Sequence, residues 1–166
     1  RVSVEGGTPA VEQEALGLSA TVSPKGNNLA FVRGGTKFYR SNYRGSASRD
    51  IWIRGGDGSY LQVAEFDGDD DYPSWLSEDS LVFLSSRTGR KNVHKVDLKS
   101  GEVSALTQYE TYDARRPRAS RDGSVIAYGH KDSIYLMTPG SEPRKLKIDV
   151  PADWVASREQ RMVKQG

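Results

Sequence analysis

Short apolar runs alternate with polar turns along most of this chain, and their spacing repeats. Ser120-Arg121-Asp122-Gly123-Ser124-Val125-Ile126-Ala127-Tyr128 aligns without a gap on Ser23-Pro24-Lys25-Gly26-Asn27-Asn28-Leu29-Ala30-Phe31. Pro73-Ser74-Trp75 and Leu81-Val82-Phe83-Leu84 stand 44 residues ahead of Pro117-Arg118-Ala119 and Val125-Ile126-Ala127-Tyr128. Each copy reads as a first strand, two apolar strands and a weaker, mixed fourth. The pattern predicts a four-stranded antiparallel unit repeated every 40–45 residues or so.

Units of that length and content are what a β-propeller blade requires. The middle strands of a blade are covered on both faces, so they should be apolar throughout. Leu81-Val82-Phe83-Leu84 and Val125-Ile126-Ala127-Tyr128 suit the second strand, and Ile51-Trp52-Ile53 and Ile134-Tyr135-Leu136-Met137 suit the third. Val103-Ser104-Ala105-Leu106-Thr107 and Arg144-Lys145-Leu146-Lys147-Ile148 have the mixed character of a fourth strand at the rim. Asp122-Gly123, Lys25-Gly26-Asn27, Gly55-Gly56-Asp57-Gly58 and Pro139-Gly140 supply the turns.

The fold class is therefore all-β: a propeller segment of three full blades plus part of another, expected to come from a six- or seven-bladed propeller. The expected divisions are the end of a preceding blade at 1–13, a blade at 17–66 with an Arg/Tyr-rich insertion at 34–50, blades at 67–108 and 109–150, and a tail or the start of a next blade at 151–166. Residues 153–165 suit a short helix or a further blade equally. Arg1-Val2-Ser3-Val4-Glu5-Gly6-Gly7-Thr8-Pro9 reads as strand-turn-strand from inside a domain, as though residues preceded it. A propeller usually needs at least four blades to close. An open fan leaves apolar faces bare, so the chain is expected to be a piece of a larger propeller or to self-associate to complete one.

Composition changes this picture little. Lys and Arg exceed Asp and Glu by a formal charge of +2, which does not indicate a nucleic-acid partner. With no cysteine there is no disulfide framework, thiol nucleophile or thiolate zinc site. No apolar stretch is long enough to span a membrane.

Candidate chemistry is sparse. Of the two histidines, His94 occupies the slot held by Trp52 and Tyr135 in the other blades and is expected to pack there. His130, in Gly129-His130-Lys131-Asp132, is expected in a solvated turn. No Gly-x-Ser-x-Gly elbow occurs, so no catalytic residues are assigned. Asp67, Asp69, Asp70 and Asp71 invite a calcium reading, but the EF-hand spacing and its bidentate Glu are missing. Ser-Arg-Asp-Gly lacks the spacing and the Trp of a sialidase Asp box. No metal or cofactor is expected.

The binding candidates are basic and aromatic. Arg40, Tyr43, Arg44 and Arg49 lie on the insertion, where guanidinium forks suit peptide carboxylates and tyrosines add contact area. Arg116 and Arg118 lie on an innermost strand, where alternation puts them on one face and Arg115 on the other, one of these faces lining a central channel.

The blade motif Pro-x-Trp, apolar run, Ser-x-Arg-x-Gly, Asp-Leu-x-x-Gly-Glu, Leu-Thr appears as Pro73-Ser74-Trp75, Leu81-Val82-Phe83-Leu84, Ser86-Arg87-Thr88-Gly89, Asp97-Leu98-Lys99-Ser100-Gly101-Glu102 and Leu106-Thr107. It resembles the PD40 subgroup of WD40-like propellers found in TolB and in tricorn-type proteases. It departs at Glu78-Asp79-Ser80, where the turn glycine is missing. Tyr39-Arg40-Ser41-Asn42-Tyr43-Arg44-Gly45, then Arg49-Asp50-Ile51-Trp52-Ile53 and the acidic turn before Pro73, is similar to the N-terminal propeller of tricorn proteases, and Tyr112-Asp113-Ala114-Arg115 resembles the opening of that family's next blade. The resemblance covers about residues 17–150.

That resemblance implies a parent serine protease whose nucleophile and general base lie in C-terminal domains outside this segment. The propeller would be a non-catalytic filter or channel for peptides, or an assembly module contacting other protein domains. The alternative is a TolB-like adaptor that binds proteins and has no tie to proteolysis. A propeller enzyme with a central metal would need matching inner-strand carboxylates, which are not seen. A tricorn-like parent favours the cytoplasm and a TolB-like one the periplasm.

Overall fold

The structure, a computed structural model, describes residues 2–149 apart from 13, 38, 39 and 41. The tail expected at 151–166 lies outside the described residues. Among the described residues, twelve strands form three antiparallel four-stranded sheets, each in simple sequence order. The first holds β1 (Leu18–Val22), β2 (Leu29–Arg33), β3 (Asp50–Arg54) and β4 (Tyr60–Val63). The second holds β5 (Asp70–Ser77), β6 (Ser80–Ser85), β7 (Asn92–Asp97) and β8 (Val103–Ala105). The third holds β9 (Ala114–Ala119), β10 (Ile126–His130), β11 (Ser133–Met137) and β12 (Arg144–Lys145).

The continuous apolar run of β6 is explained by its place in the middle sheet. Leu81 and Phe83 point to one side and pack with Ala30, Val32, Ile51 and Ile53 of the first sheet. Val82 and Leu84 point to the other and pack with Ile126, Tyr128 and Met137 of the third. Both parities are buried, so both must be apolar. Each such side chain contributes roughly 1.5–3 kcal/mol relative to exposure. The middle sheet meets its neighbours chiefly through β5, against β1–β3, and through β9, against β5–β7. Strands β4, β8 and β12 lie toward the rim, and β4 and β8 reach the shared core through Val63 and Val103. The arrangement is a fan whose hub is the first strand of each sheet: three blades of a β-propeller.

All three hub strands carry the same irregularity. The register slips between Leu18 and Thr21, between Asp71 and Ser74, and opposite Ala127 and Gly129. At each slip a non-glycine residue takes positive φ: Ser19 (52°), Tyr72 (52°) and Arg116 (45°). A bulge of this kind inserts a residue, sharpens the twist and re-aims side chains. Strict alternation along β9 is therefore overturned. Arg118 pairs with Ala127 and Arg115 with Gly129, so by register those two arginines share a face, and Arg116 turns away at the bulge.

Three other expectations are corrected. Residues 2–9 contain a turn closed by Gly6 N–H to Ser3 O at 3.0 Å and no strand. The last fourth strand stops at Lys145, leaving Ile148 exposed. Among the described residues the third sheet packs on the second sheet alone, and Ile134 is 42% exposed in what was expected to be a fully covered strand.

Gly123 shows how closely the blades meet. Its φ is +72°, and a Cβ there would fall 2.0 Å from the Leu76 carbonyl oxygen of the preceding blade. Only glycine fits both demands. Nearby, Asp122 Oδ1 accepts from Ser124 N–H at 3.1 Å and from the Ser120 hydroxyl, bonds that draw its pKa down to about 2.

Candidate basic and aromatic face

The β2–β3, β6–β7 and β10–β11 connections leave their sheets at the end where the hub strands begin. One face of the fan thus collects the Arg/Tyr insertion, the segment 86–91 and the starts of β5 and β9.

The same clasp joins successive blades on this face. Asp70 N–H donates to Arg49 O at 2.7 Å, and Arg49 N–H donates to Asp69 Oδ1 at 3.0 Å. One blade on, Ala114 N–H donates to Lys91 O at 2.7 Å, and Lys91 N–H donates to Asp113 Oδ1 at 3.2 Å. The acidic turn before each hub strand is therefore a device for receiving the backbone of the preceding blade. The sequence signal was the Asp69/Asp113 repeat, one period apart.

The three carboxylates of the first clasp are buried and face cations. Arg49 Nη1 pairs with Asp71 Oδ2, Arg87 Nη2 with Asp70 Oδ2 at 2.7 Å, and Lys91 Nζ with Asp69 Oδ2 at 3.9 Å. Desolvation pushes Asp70 up to about 7, even against the lowering effect of Arg87. Its Oδ1 has no partner. The three pairs form a buried lattice in which Arg49–Asp71 ties the insertion to the second blade, while Arg87–Asp70 and Lys91–Asp69 lie within that blade. Arg49, expected as a binding residue, is a member of that lattice, with its side chain 15% exposed.

The other candidates divide into two groups. On the insertion, Arg40 lies over the Tyr43 ring at 5.0 Å, and Arg44 over Phe66 at 4.7 Å. Arg87 also meets Phe66, at 5.1 Å, so that ring serves two guanidiniums. At the hub, Arg116 lies over Tyr72 at 5.9 Å, and Arg118 Nη1 donates to Pro73 O at 3.4 Å. Asp71 connects the groups: Oδ2 holds Arg49, and Oδ1 accepts Tyr72 N–H at 2.8 Å. Arg40, Arg44, Arg116 and Arg118 are exposed, and among the described residues no carboxylate pairs with any of them.

The histidines do different things. His94 sits beside Phe83, ring centroids 5.9 Å apart, in the slot of Trp52 and Tyr135 as expected. Burial lowers its pKa to about 4. His130 was expected in solvent and is buried instead. It closes β10 with the inward parity of Ile126 and Tyr128, and its ring stacks on Tyr109 at 3.6 Å. Sequence reasoning also passed over Asn92, which is fully buried: its Oδ1 accepts from Tyr109 N–H and Thr107 Oγ1, and its Nδ2 donates to Thr88 Oγ1. Among the described residues no helix is long and apolar enough to cross a membrane.

Comparisons with known proteins agree with this architecture. The family described as "Tricorn protease N-terminal beta propeller domain" matches residues 1–143. A tricorn protease homolog from Saccharolobus solfataricus is 28% identical over 156 residues, covering 92% of this chain and 14% of the relative. The crystal structure of the tricorn protease superposes with a TM-score of 0.65 at 19% identity, over 81% of this chain and 13% of that one. TolB from Acinetobacter baumannii superposes with a TM-score of 0.63 at 20% identity, over 79% of this chain and 32% of that one, which shows a shared fold. The chain thus spans a small part of the curated relative's length, and it belongs to the tricorn protease N-terminal β-propeller family.

Proposed function

We propose that this chain is the non-catalytic propeller part of a tricorn-like serine protease, and that its basic face receives peptides by their carboxylates and passes them along the hub. The observation that carries this reading is the set of exposed guanidiniums, Arg40, Arg44, Arg116 and Arg118, seated on rings or carbonyls and, among the described residues, without a paired carboxylate. Stacking orients the forks of Arg40, Arg44 and Arg116 and leaves their edges free for a bidentate carboxylate, while Arg118 is oriented by its bond to Pro73 O. Arg49 serves this site indirectly, by fixing the insertion on the second blade through Asp71.

Titrating short peptides with free C-termini, and the same peptides amidated, tests the reading. The free acids should bind more tightly, and Arg40→Ala with Arg44→Ala, or Arg116→Ala alone, should weaken them without lowering the melting temperature. Equal binding of acid and amide, or arginine variants that bind unchanged, would overturn it.

A further inference from the structure

A hollow of about 670 Å³ lies between the second and third blades near their rims. It is lined by Leu106, Gln108 and Tyr109 from the segment after β8, by Tyr135 of β11, and by Glu142 and Pro143 before β12. Neither the acid-binding face nor the blade repeat accounts for it.

Its walls are fixed by ring contacts and hydrogen bonds. Tyr109 stacks flat on His130, centroids 3.6 Å apart and planes 10° from parallel. The Tyr109 and Tyr128 hydroxyls share a hydrogen bond of 2.8 Å, and Tyr135 stacks on Tyr128 at 5.8 Å. The backbone N–H of Tyr109 is held by the buried Asn92. Two phenol rings are thus held in place before any ligand arrives, which lowers the ordering cost of binding.

The charge of the hollow has one sign. Glu142 is its sole ionisable carboxylate, and no cation lines it. Lys145 neighbours Tyr135 in the register, but it does not line the hollow, and its charge acts on Asp132. The Glu142 carboxylate is near enough to raise the Tyr128 phenol, alongside the larger effect of burial and the Tyr109 bond. A second hollow of about 650 Å³ on the other flank of Tyr109 contains both Arg90 and Glu110 and favours neither sign.

We infer that the Tyr109–Tyr135–Glu142 hollow is a binding site for a basic side chain, arginine or lysine, presented by a peptide segment of a partner. The cation lies over a tyrosine face and pairs with Glu142, while its methylene stem covers Leu106 and Pro143. This site recognises the opposite charge from the hub face, so a peptide with a basic residue and a free C-terminus has a place for each.

The blocked tripeptides acetyl-Gly-Arg-Gly-amide and acetyl-Gly-Glu-Gly-amide, which have no terminal charges, test this site apart from the carboxylate face. In an NMR titration the arginine peptide should shift Tyr109, Tyr135 and Glu142 at millimolar concentrations, and the glutamate peptide should not. Glu142→Gln, an exposed change that leaves the fold intact, should weaken the arginine peptide about threefold, the scale of an exposed ion pair, while the ring contact remains. Arg116→Ala should leave it unchanged. No shifts with the arginine peptide, equal shifts with the glutamate peptide, or undiminished binding by Glu142→Gln would overturn the inference.

Discussion

Arg116 and Tyr72 stand at equivalent bulges of neighbouring hub strands, both with positive φ, and the guanidinium of one lies 5.9 Å from the ring centre of the other. Ser19 holds the same conformation one blade earlier. Three left-handed non-glycine residues in register place a row of re-aimed side chains at the hub. Strain at such positions is of order 1–3 kcal/mol each and persists where the surroundings over-determine it.

Substitutions at Arg116 should separate strain from contact. Arg116→Gly accepts φ 45° freely and loses the ring contact, so its stability should stay within about 0.5 kcal/mol of the parent. Arg116→Val adds a β-branched side chain at positive φ and should cost about 2 kcal/mol. Urea melts of the two variants check this. Equal stabilities would remove the claim that the bulge is strained.

His94 should be replaceable by phenylalanine with a gain. Its Nε2 is buried without a partner, and the ring's one hydrogen bond is between Nδ1 and Asn92 O at 3.1 Å. Because burial lowers the folded pKa to about 4, the unfolded chain binds the extra proton between roughly pH 6.5 and 4. The contribution of His94 to stability is therefore present above pH 6.5 or so and is lost as pH falls through that window. His94→Phe should abolish this loss, with an advantage of about 2 kcal/mol at pH 5. Denaturant midpoints at pH 5 and pH 7.5 measure it.

Asp70 should act with the opposite sign. Its folded pKa of about 7 stands above the unfolded value, so the native state holds the extra proton between pH 4 or so and 7. Stability from this group declines as pH rises across that window and is level above it. The two slopes oppose each other and hide one another in the parent. In the His94→Phe background the decline should emerge, at about 1–2 kcal/mol, and Asp70→Asn should flatten it. A flat profile in His94→Phe alone would show that Arg87 keeps Asp70 ionised throughout.

The repeat made the fold legible because apolar runs of both parities, as in Leu81-Val82-Phe83-Leu84, fit only strands covered on two sides. The aromatic slot of His94 followed from the same comparison with Trp52 and Tyr135. What stayed hidden was local. Nothing about Ser19, Tyr72 or Arg116 as residue types marks a positive φ, so alternation misplaced Arg115 and Arg118. The fate of Arg49 depended on Asp71 being buried opposite it, a distance of 22 residues in sequence that no pattern couples. His130 was misjudged because its turn looked polar, although its parity with Tyr128 pointed inward.

Asn92 offers the sharpest test of how the blade margin is held. Its amide is fully buried and meets five groups: Thr107 Oγ1 at 2.9 Å, Tyr109 N–H at 2.7 Å, Thr88 Oγ1 at 3.1 Å, Tyr109 O at 3.2 Å and Arg90 O at 3.5 Å. A buried amide satisfied on both ends anchors the whole segment between β8 and β9, including the Tyr109 wall of the inter-blade hollow. Asn92→Ala leaves the Tyr109 amide and the Thr107 hydroxyl without their acceptor, so it should cost about 2–4 kcal/mol. Asn92→Asp keeps the acceptor but buries a charge against the Tyr109 carbonyl, and should also destabilise. Amide exchange separates a local from a global effect. Protection should fall most at Leu106 and Tyr109, while Leu81 and Phe83 in the covered middle sheet keep theirs. Uniform loss across β6 and the 106–109 segment would mean that Asn92 supports the blade as a whole and not its margin.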